Sequence, residues 1–211
     1  MVGRALRLIA AGMALAAVAA GCGTGYNYVK SSSDRTYFKV PDRWTLYDEG
    51  AVMERLGGDL SKQQRSAELG QTWRVAFDAA PKPSLNHLAS VGAAYPSGLA
   101  VVRRLSFDAA DNLSTASMRN YFFDVDGALQ NNAVDVTQYE ELELEGGFRG
   151  IHMVARLTRS SGDVLTIDQT TLVDQGNSKI YALLVSCSSS CYAKNRHEIE
   201  NVVDSWTVRA K

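Results

Sequence analysis

Between residues 134 and 186 the chain repeats one pattern four times: a strand-like run, then a break rich in Gly, Ser or Asp. In 134–145, Val134, Val136, Leu142 and Leu144 share one parity. Thr137, Tyr139, Glu141, Glu143 and Glu145 share the other, which places a row of acids on a wet face. Gly146-Gly147 turns the chain, and 148–159 returns with Ile151, Met153, Ala155 and Leu157 inward. Ser160-Ser161-Gly162-Asp163 turns it again into 164–173, with Leu165, Ile167 and Val173 inward. Residues 179–186 are almost wholly apolar, which predicts a strand covered on both faces near the centre of the sheet. Four successive strands with short turns make an antiparallel meander. Residues 191–204 carry Tyr192, Ile199, Val202 and Val203 on one helical stripe, with Ser189 or Ser190 as N-cap. That helix must cover a sheet face, so the expected class is α+β, an antiparallel meander with helices packed on it.

The segments before the meander extend the same plan. Residues 37–41 read as a strand ended by proline, with Trp44 after it. A helix is expected over 48–56 and is broken by Gly57-Gly58. In 71–78, Trp73, Val75 and Phe77 alternate with Thr72, Arg74 and Asp78, the mark of a half-buried strand. Pro81-Lys82-Pro83 is a loop, 84–94 a short helix capped by Ser84, and 95–98 a turn. A strand over 99–107 and a short helix over 111–120 follow, and 206–208 is a brief final strand.

The N-terminus addresses location. Arg4 and Arg7 precede a run of 13 apolar or small residues, 8–20, and then Gly21-Cys22. A charged start, a short apolar core and a small-residue exit describe an export signal. Thirteen residues span about 20 Å as a helix, short of the ~30 Å bilayer core. Ala19-Ala20-Gly21-Cys22 resembles the bacterial lipobox, with Ala19 where the box usually has Leu. The resemblance implies that residues 1–21 are a signal peptide. It also implies that the Cys22 thiol carries a diacylglycerol whose acyl chains, such as palmitate, hold the protein on the extracytoplasmic face of the membrane. An ordinary secretory signal with Cys22 as a thiol is the alternative. Two acyl chains anchor a soluble domain stably where one does not. Residues 22–34, rich in Gly and Ser, read as a flexible tether, and 35–211 as one domain.

Charge excludes one class of partner. The chain has 22 Lys+Arg against 23 Asp+Glu. Removing Arg4 and Arg7 with the signal leaves 20 against 23, a charge of -3. No basic excess exists for neutralising phosphates, so a nucleic acid is not an expected partner.

The strand at 37–41 with Trp44, the run 180–185, and Ile199 to Val208 (Ile-Glu-Asn-Val-Val-Asp-Ser-Trp-Thr-Val) together resemble the PsbP-like fold. They are similar in particular to small actinobacterial envelope lipoproteins. The resemblance implies an α/β/α sandwich and a binding or accessory role, with no particular ligand.

Cys187 and Cys191 flank three serines between the apolar strand and the last helix. An exported chain is outside the reducing cytosol, and the spacing lets two Cα atoms approach the ~5.5 Å of a bridge. A disulfide that fixes the strand-to-helix turn is the expectation, and two thiols the alternative. A redox pair prefers two intervening residues, and a zinc site would need two more ligands.

Catalytic signatures are mostly missing. His87, His152 and His197 show no close pairing, and no Gly-x-Ser-x-Gly, P-loop or dinucleotide fingerprint occurs. Asp124-Val125-Asp126-Gly127 begins like a calcium loop but lacks its later ligands and reads as a plain loop. No catalytic residue, metal or cofactor is assigned. The reading is a non-catalytic binding or accessory lipoprotein, engaging an envelope protein or a small apolar ligand. The alternative is an envelope hydrolase whose residues converge only in three dimensions.

Overall fold

A computed structural model describes residues 25–58, 60–90, 93–159 and 161–210. The expected signal peptide, the lipobox and Cys22 lie outside those residues.

Strands β1 (Tyr26–Ser31) and β2 (Thr36–Pro41) open the described chain, followed by β3 (Thr45–Tyr47) and α1 (Glu49–Leu56). Next come α2 (Lys62–Gln71), β4 (Thr72–Asp78), a single turn of 3-10 helix at Leu85–Ala89, and β5 (Ser97–Arg104). Three short helices, α3 (Phe107–Asp111), α4 (Thr115–Arg119) and α5 (Val125–Gln130), lead into the meander. The meander is β6 (Val134–Leu144), β7 (Phe148–Thr158), β8 (Val164–Val173) and β9 (Lys179–Ser188). Helix α6 (Ser189–Asp204) and β10 (Thr207–Val208) close the fold.

Seven strands form one antiparallel sheet in the order β3-β4-β5-β9-β8-β7-β6, with β9 at its centre as its apolar sequence demands. Both faces are covered, by different layers. Ile151, Met153, Ile167 and Leu184 face α4 and α5 through Met118 and Val125. Leu183, Val185 and Phe77 face the other way, onto α6 (Ile199, Val202) and onto a small sheet. That sheet has the order β1-β2-β10 and contributes Val29, Phe38 and Val40. The expected α+β class is therefore what the chain adopts.

Several local readings are corrected; the strand expected over 99–107 ends at Arg104, and Phe107 begins α3. Of the tether expected over 22–34, residues 26–31 form a strand instead, pairing along its whole length with Thr36–Pro41. Its Gly/Ser composition concealed a strand that buries only Val29 and Ser31. Helix α2 was not expected, since it buries no residue and so leaves no apolar period. Its start is fixed by a capping box between Ser61 and Gln64. The plain loop at 124–127 is instead the start of α5, with Asp124 as N-cap accepting from the Gly127 N–H at 3.0 Å. The cap of α6 is Ser188, not Ser189 or Ser190; its hydroxyl accepts from the Cys191 N–H at 3.3 Å.

The most consequential difference lies in β6. Val134 and Val136 pair with Leu157 and Ala155, but Gln138 pairs with Val154, so one extra residue sits at a bulge. An extra residue flips the parity of everything after it. Val134 and Val136 therefore join the core under α4 and α5, while Leu142 packs with Phe148 and Tyr181 on the opposite face. The four aliphatic residues do not share one face. The acids Glu141 and Glu143 remain exposed.

Candidate functional site

Along the edge of α6 a cleft opens over the sheet face that carries residues 152, 154 and 156 of β7 and 166 and 168 of β8. The resulting cleft has a volume of about 520 Å³. Its floor is His152, Val154, Thr166 and Asp168; its wall is Tyr192, Arg196 and Glu200 of α6.

Asp168 organises it. The carboxyl group is 3% exposed and accepts two hydrogen bonds. One oxygen lies 2.9 Å from His152 Nε2, and the other accepts from the Tyr192 hydroxyl at 2.7 Å. The residues meet because β7 and β8 pair His152 with Thr170 and Val154 with Asp168, which makes His152 and Asp168 diagonal neighbours. The bulge then turns Gln138 onto the same face, and its carboxamide stands 3.5 Å from the second imidazole nitrogen, Nδ1.

The electrostatics follow from this packing. The hydrogen bond to Asp168 raises the His152 pKa above its ordinary 6.5, opposed by burial and aided by the charges of Asp168, Glu140 and Asp204. Burial, then the charge of Asp168, pushes the Tyr192 phenol up, so it remains a donor at physiological pH. At the rim, Arg196 is bound to Glu200 at 2.7 Å, and Arg156 stands 3.9 Å from Asp135. Both guanidiniums are more than half exposed and reach solvent.

The hydroxyls in the cleft are directed elsewhere. Ser189 Oγ lies 2.8 Å from Thr166 Oγ1 and 3.4 Å from the Val164 carbonyl, to which it donates. Thr137 donates to the Val154 carbonyl at 3.1 Å. The imidazole is thus oriented by an acid on one nitrogen and meets an amide on the other. The result is a polar surface whose donors and acceptors engage one another. The lining of this cleft is dominated by charged and hydroxyl side chains.

His152 makes stability depend on pH. Its folded-state pKa is raised, so its contribution is fully present below about 6.5 and is lost as pH rises through the folded-state value. Nuclear magnetic resonance titration of the His152 ring should give a midpoint above 6.5, and the unfolding free energy should fall across that same interval. A midpoint at or below 6.5 would contradict this.

The other histidines are also partnered. His87 Nδ1 lies 2.6 Å from Asp78, whose carboxylate also accepts from the backbone N–H groups of Ala80 and Ser84. That pair holds the loop after β4. His197 lies 3.2 Å from the Asn201 amide on the outer side of α6. Cys187 and Cys191 are brought together, with Cα atoms 5.9 Å apart and the sulfurs in bonding contact. Among the described residues no group of three or more His, Cys, Asp or Glu side chains could hold a metal, and no helix is long and apolar enough to cross a membrane.

Sequence reading missed the cleft because its members lie on three strands and a helix. One signal was available. In a hairpin with a short turn after residue 158, positions 152 and 168 fall on the same parity and become diagonal neighbours.

No protein-family model matches the chain. No curated protein matches it either. Several solved structures are similar to it at low sequence identity. Cyanobacterial PsbP from Synechocystis is 12% identical, with a TM-score of 0.47, covering 90% of this chain and 96% of that one. LpqN of Mycobacterium tuberculosis, described as involved in cell envelope biogenesis, is 16% identical, with a TM-score of 0.48 and coverages of 87% and 90%. The Ran-binding protein Mog1p of Saccharomyces cerevisiae is 8% identical, with a TM-score of 0.45 and coverages of 88% and 96%.

Proposed function

We propose that this chain is an exported lipoprotein, acylated on Cys22 after removal of residues 1–21, whose domain binds a polar ligand or an envelope partner without chemistry. The observation that carries the binding role is the Asp168 cluster. Both carboxylate oxygens are engaged, by His152 and Tyr192, and the second imidazole nitrogen faces Gln138. A hydrolase of the histidine type needs a hydroxyl or thiol at that nitrogen, to be deprotonated for attack. Here the Ser189 hydroxyl bonds to Thr166 and Val164 instead. The Cys22 anchor is supported by the charged start, the 13-residue apolar run and the small-residue approach to the cysteine.

The test is affinity purification of the mature protein from solubilised membranes, with bound molecules and proteins identified by mass spectrometry. A stoichiometric polar ligand or partner, on a chain of acylated mass, is the expected result. An unacylated protein in the medium would overturn the anchor. Turnover of the recovered molecule would overturn the non-catalytic role.

Cys187 and Cys191 are proposed to be bridged in the exported protein, fixing the turn from β9 into α6. The bond closes a small ring, sequence separation 4. Its chain-entropy contribution is then about 2 kcal/mol, below the ~3 kcal/mol of a 15-residue loop. Replacing both with alanine should lower the unfolding free energy by about that amount. Reductant should have the same effect on the wild type in a urea titration; an unmoved midpoint would mean that the thiols are not joined.

A further inference from the structure

The small sheet turns its other face outward, and that face has an unusual composition. On β1 the outward residues are Tyr26, Tyr28 and Lys30; on β2 they are Tyr37 and Lys39. The register sets Tyr28 opposite Lys39 and Lys30 opposite Tyr37, so tyrosines and lysines alternate across the pair. Tyr28 and Tyr37 stack diagonally with ring centres 6.4 Å apart, and the Lys39 ammonium stands 4.7 Å above the Tyr26 ring. Tyr28 is 57% exposed and Tyr37 37%. At one end of the face, exposed Arg35 and Arg209 border a groove with Lys30.

No acid lies on β1, β2 or β10. Of the nearest acids in sequence, Asp34 is already bound by Lys179 at 2.7 Å, and the exposed Asp42 follows β2 at the end beside Gly25, to whose carbonyl its backbone N–H donates at 3.0 Å. A mature body of charge -3 thus presents a small sheet whose three strands carry cations and aromatic rings and no acid. Lysine on an edge strand is a common guard against aggregation, and that accounts for Lys30 on β1. It does not account for Lys39 on β2, which is paired on both sides, nor for three tyrosines in the same patch.

The position of this face decides what covers it. Only Gly23, Thr24 and Gly25 separate Cys22 from β1. Four residue steps reach about 14 Å at full extension. A Debye length at physiological salt is ~8 Å, so a lipid on Cys22 would hold β1 within about two Debye lengths of the headgroups. Tyrosine is enriched at the membrane interface, where its ring is buried among headgroups and its hydroxyl stays wet. Lysine and arginine are drawn to anionic lipid within about one Debye length, a distance the face reaches only when it lies against the headgroups.

We infer that the outer face of β1 and β2 docks on an anionic lipid surface, with acylated Cys22 delivering it there. The docked face orients the domain so that the small sheet lies down on the bilayer. The occupant is the membrane because the chain outside the described residues leads there within three residues and because the patch complements its charge. The inference rests on the lipid-anchor reading, and its test separates the two.

Mature protein is reconstituted into phosphatidylcholine vesicles containing phosphatidylglycerol and treated with a lysine-acylating reagent. Site occupancies are read by mass spectrometry, together with the intact mass of the chain. Each basic residue near an anionic surface strengthens binding by about fivefold. Lys30 and Lys39 should therefore be labelled at least about fivefold more slowly than in detergent. The protection should disappear in 0.5 M salt (a concentration chosen to screen charge), while the exposed Lys62 and Lys82 keep one rate throughout. An acylated, vesicle-bound chain with Lys30 and Lys39 unprotected overturns the docking face alone. A chain without acyl mass that stays out of the vesicles overturns the anchor and the docking face together. Protection found in whole cells and absent from the vesicles would assign the face to a protein partner and overturn the lipid.

Discussion

Replacing Asp168 with asparagine should cost about 2–3 kcal/mol and reverse the direction of the His152 shift. The carboxylate accepts from two donors, His152 and Tyr192, in a site that is 3% exposed. Asparagine keeps the volume but offers one acceptor oxygen and an amide NH2 donor where two donors converge, so one polar group is left unpaired. Hydrogen bonds to charged groups contribute about 1.5–3 kcal/mol each, and part of that is recovered through the remaining oxygen. The titration is the more specific readout. With the acid neutralised, the hydrogen bond and charge that most raise His152 are gone, and burial, which lowers it, outweighs the smaller pull of Glu140 and Asp204. The midpoint should move from above 6.5 to below it, measured on the same ring resonance in both proteins. A midpoint that stays raised in the variant would mean that Glu140 and Asp204, not Asp168, govern the imidazole.

The second large effect is expected at Gly98. This residue sits in β5 between Phe77 of β4 and Val185 of β9. A Cβ built there overlaps the Phe77 ring and comes within 2.5 Å of the Leu184 carbonyl oxygen. Phe77 is fully buried and stacks on Trp44, with centroids 5.8 Å apart, so the ring has no room to retreat. The carbonyl belongs to the central strand and cannot move without breaking its ladder. Gly98→Ala should cost about 3 kcal/mol or more and shift expression toward insoluble material. Adding Phe77→Leu should recover part of that loss, because the two positions share one space. Strict additivity of the two substitutions in denaturant titrations would refute the clash.

What could be read from the sequence follows the strength of each local signal. The central place of β9 was legible because an unbroken apolar run leaves no face for water. The meander was legible because its turns carry Gly, Ser and Asp at short intervals. The bulge in β6 was not, since Thr137 looks like any residue of an alternating strand and only the partner strand shows that it is supernumerary. That one displacement moves Leu142 across the sheet and brings Gln138 to His152. Strand β1 was hidden by its polar outer face, the same face that carries the Tyr and Lys alternation. The cleft was the least legible part. Its chemistry depends on Asp168 meeting a histidine 16 residues earlier and a tyrosine 24 residues later. Both were assigned in the sequence to other duties, His152 as an isolated side chain and Tyr192 as part of an inward helical stripe.

The most direct test of binding through this cleft is native mass spectrometry of protein released from membranes, wild type beside Gln138→Ala/Arg156→Ala. Both replaced side chains are exposed at the cleft, so the core is untouched. The expected result is one stoichiometric polar ligand or partner on the wild type, absent from the variant, with the same acylated mass in both. Equal occupancy in the two proteins, or an empty wild type, would contradict it.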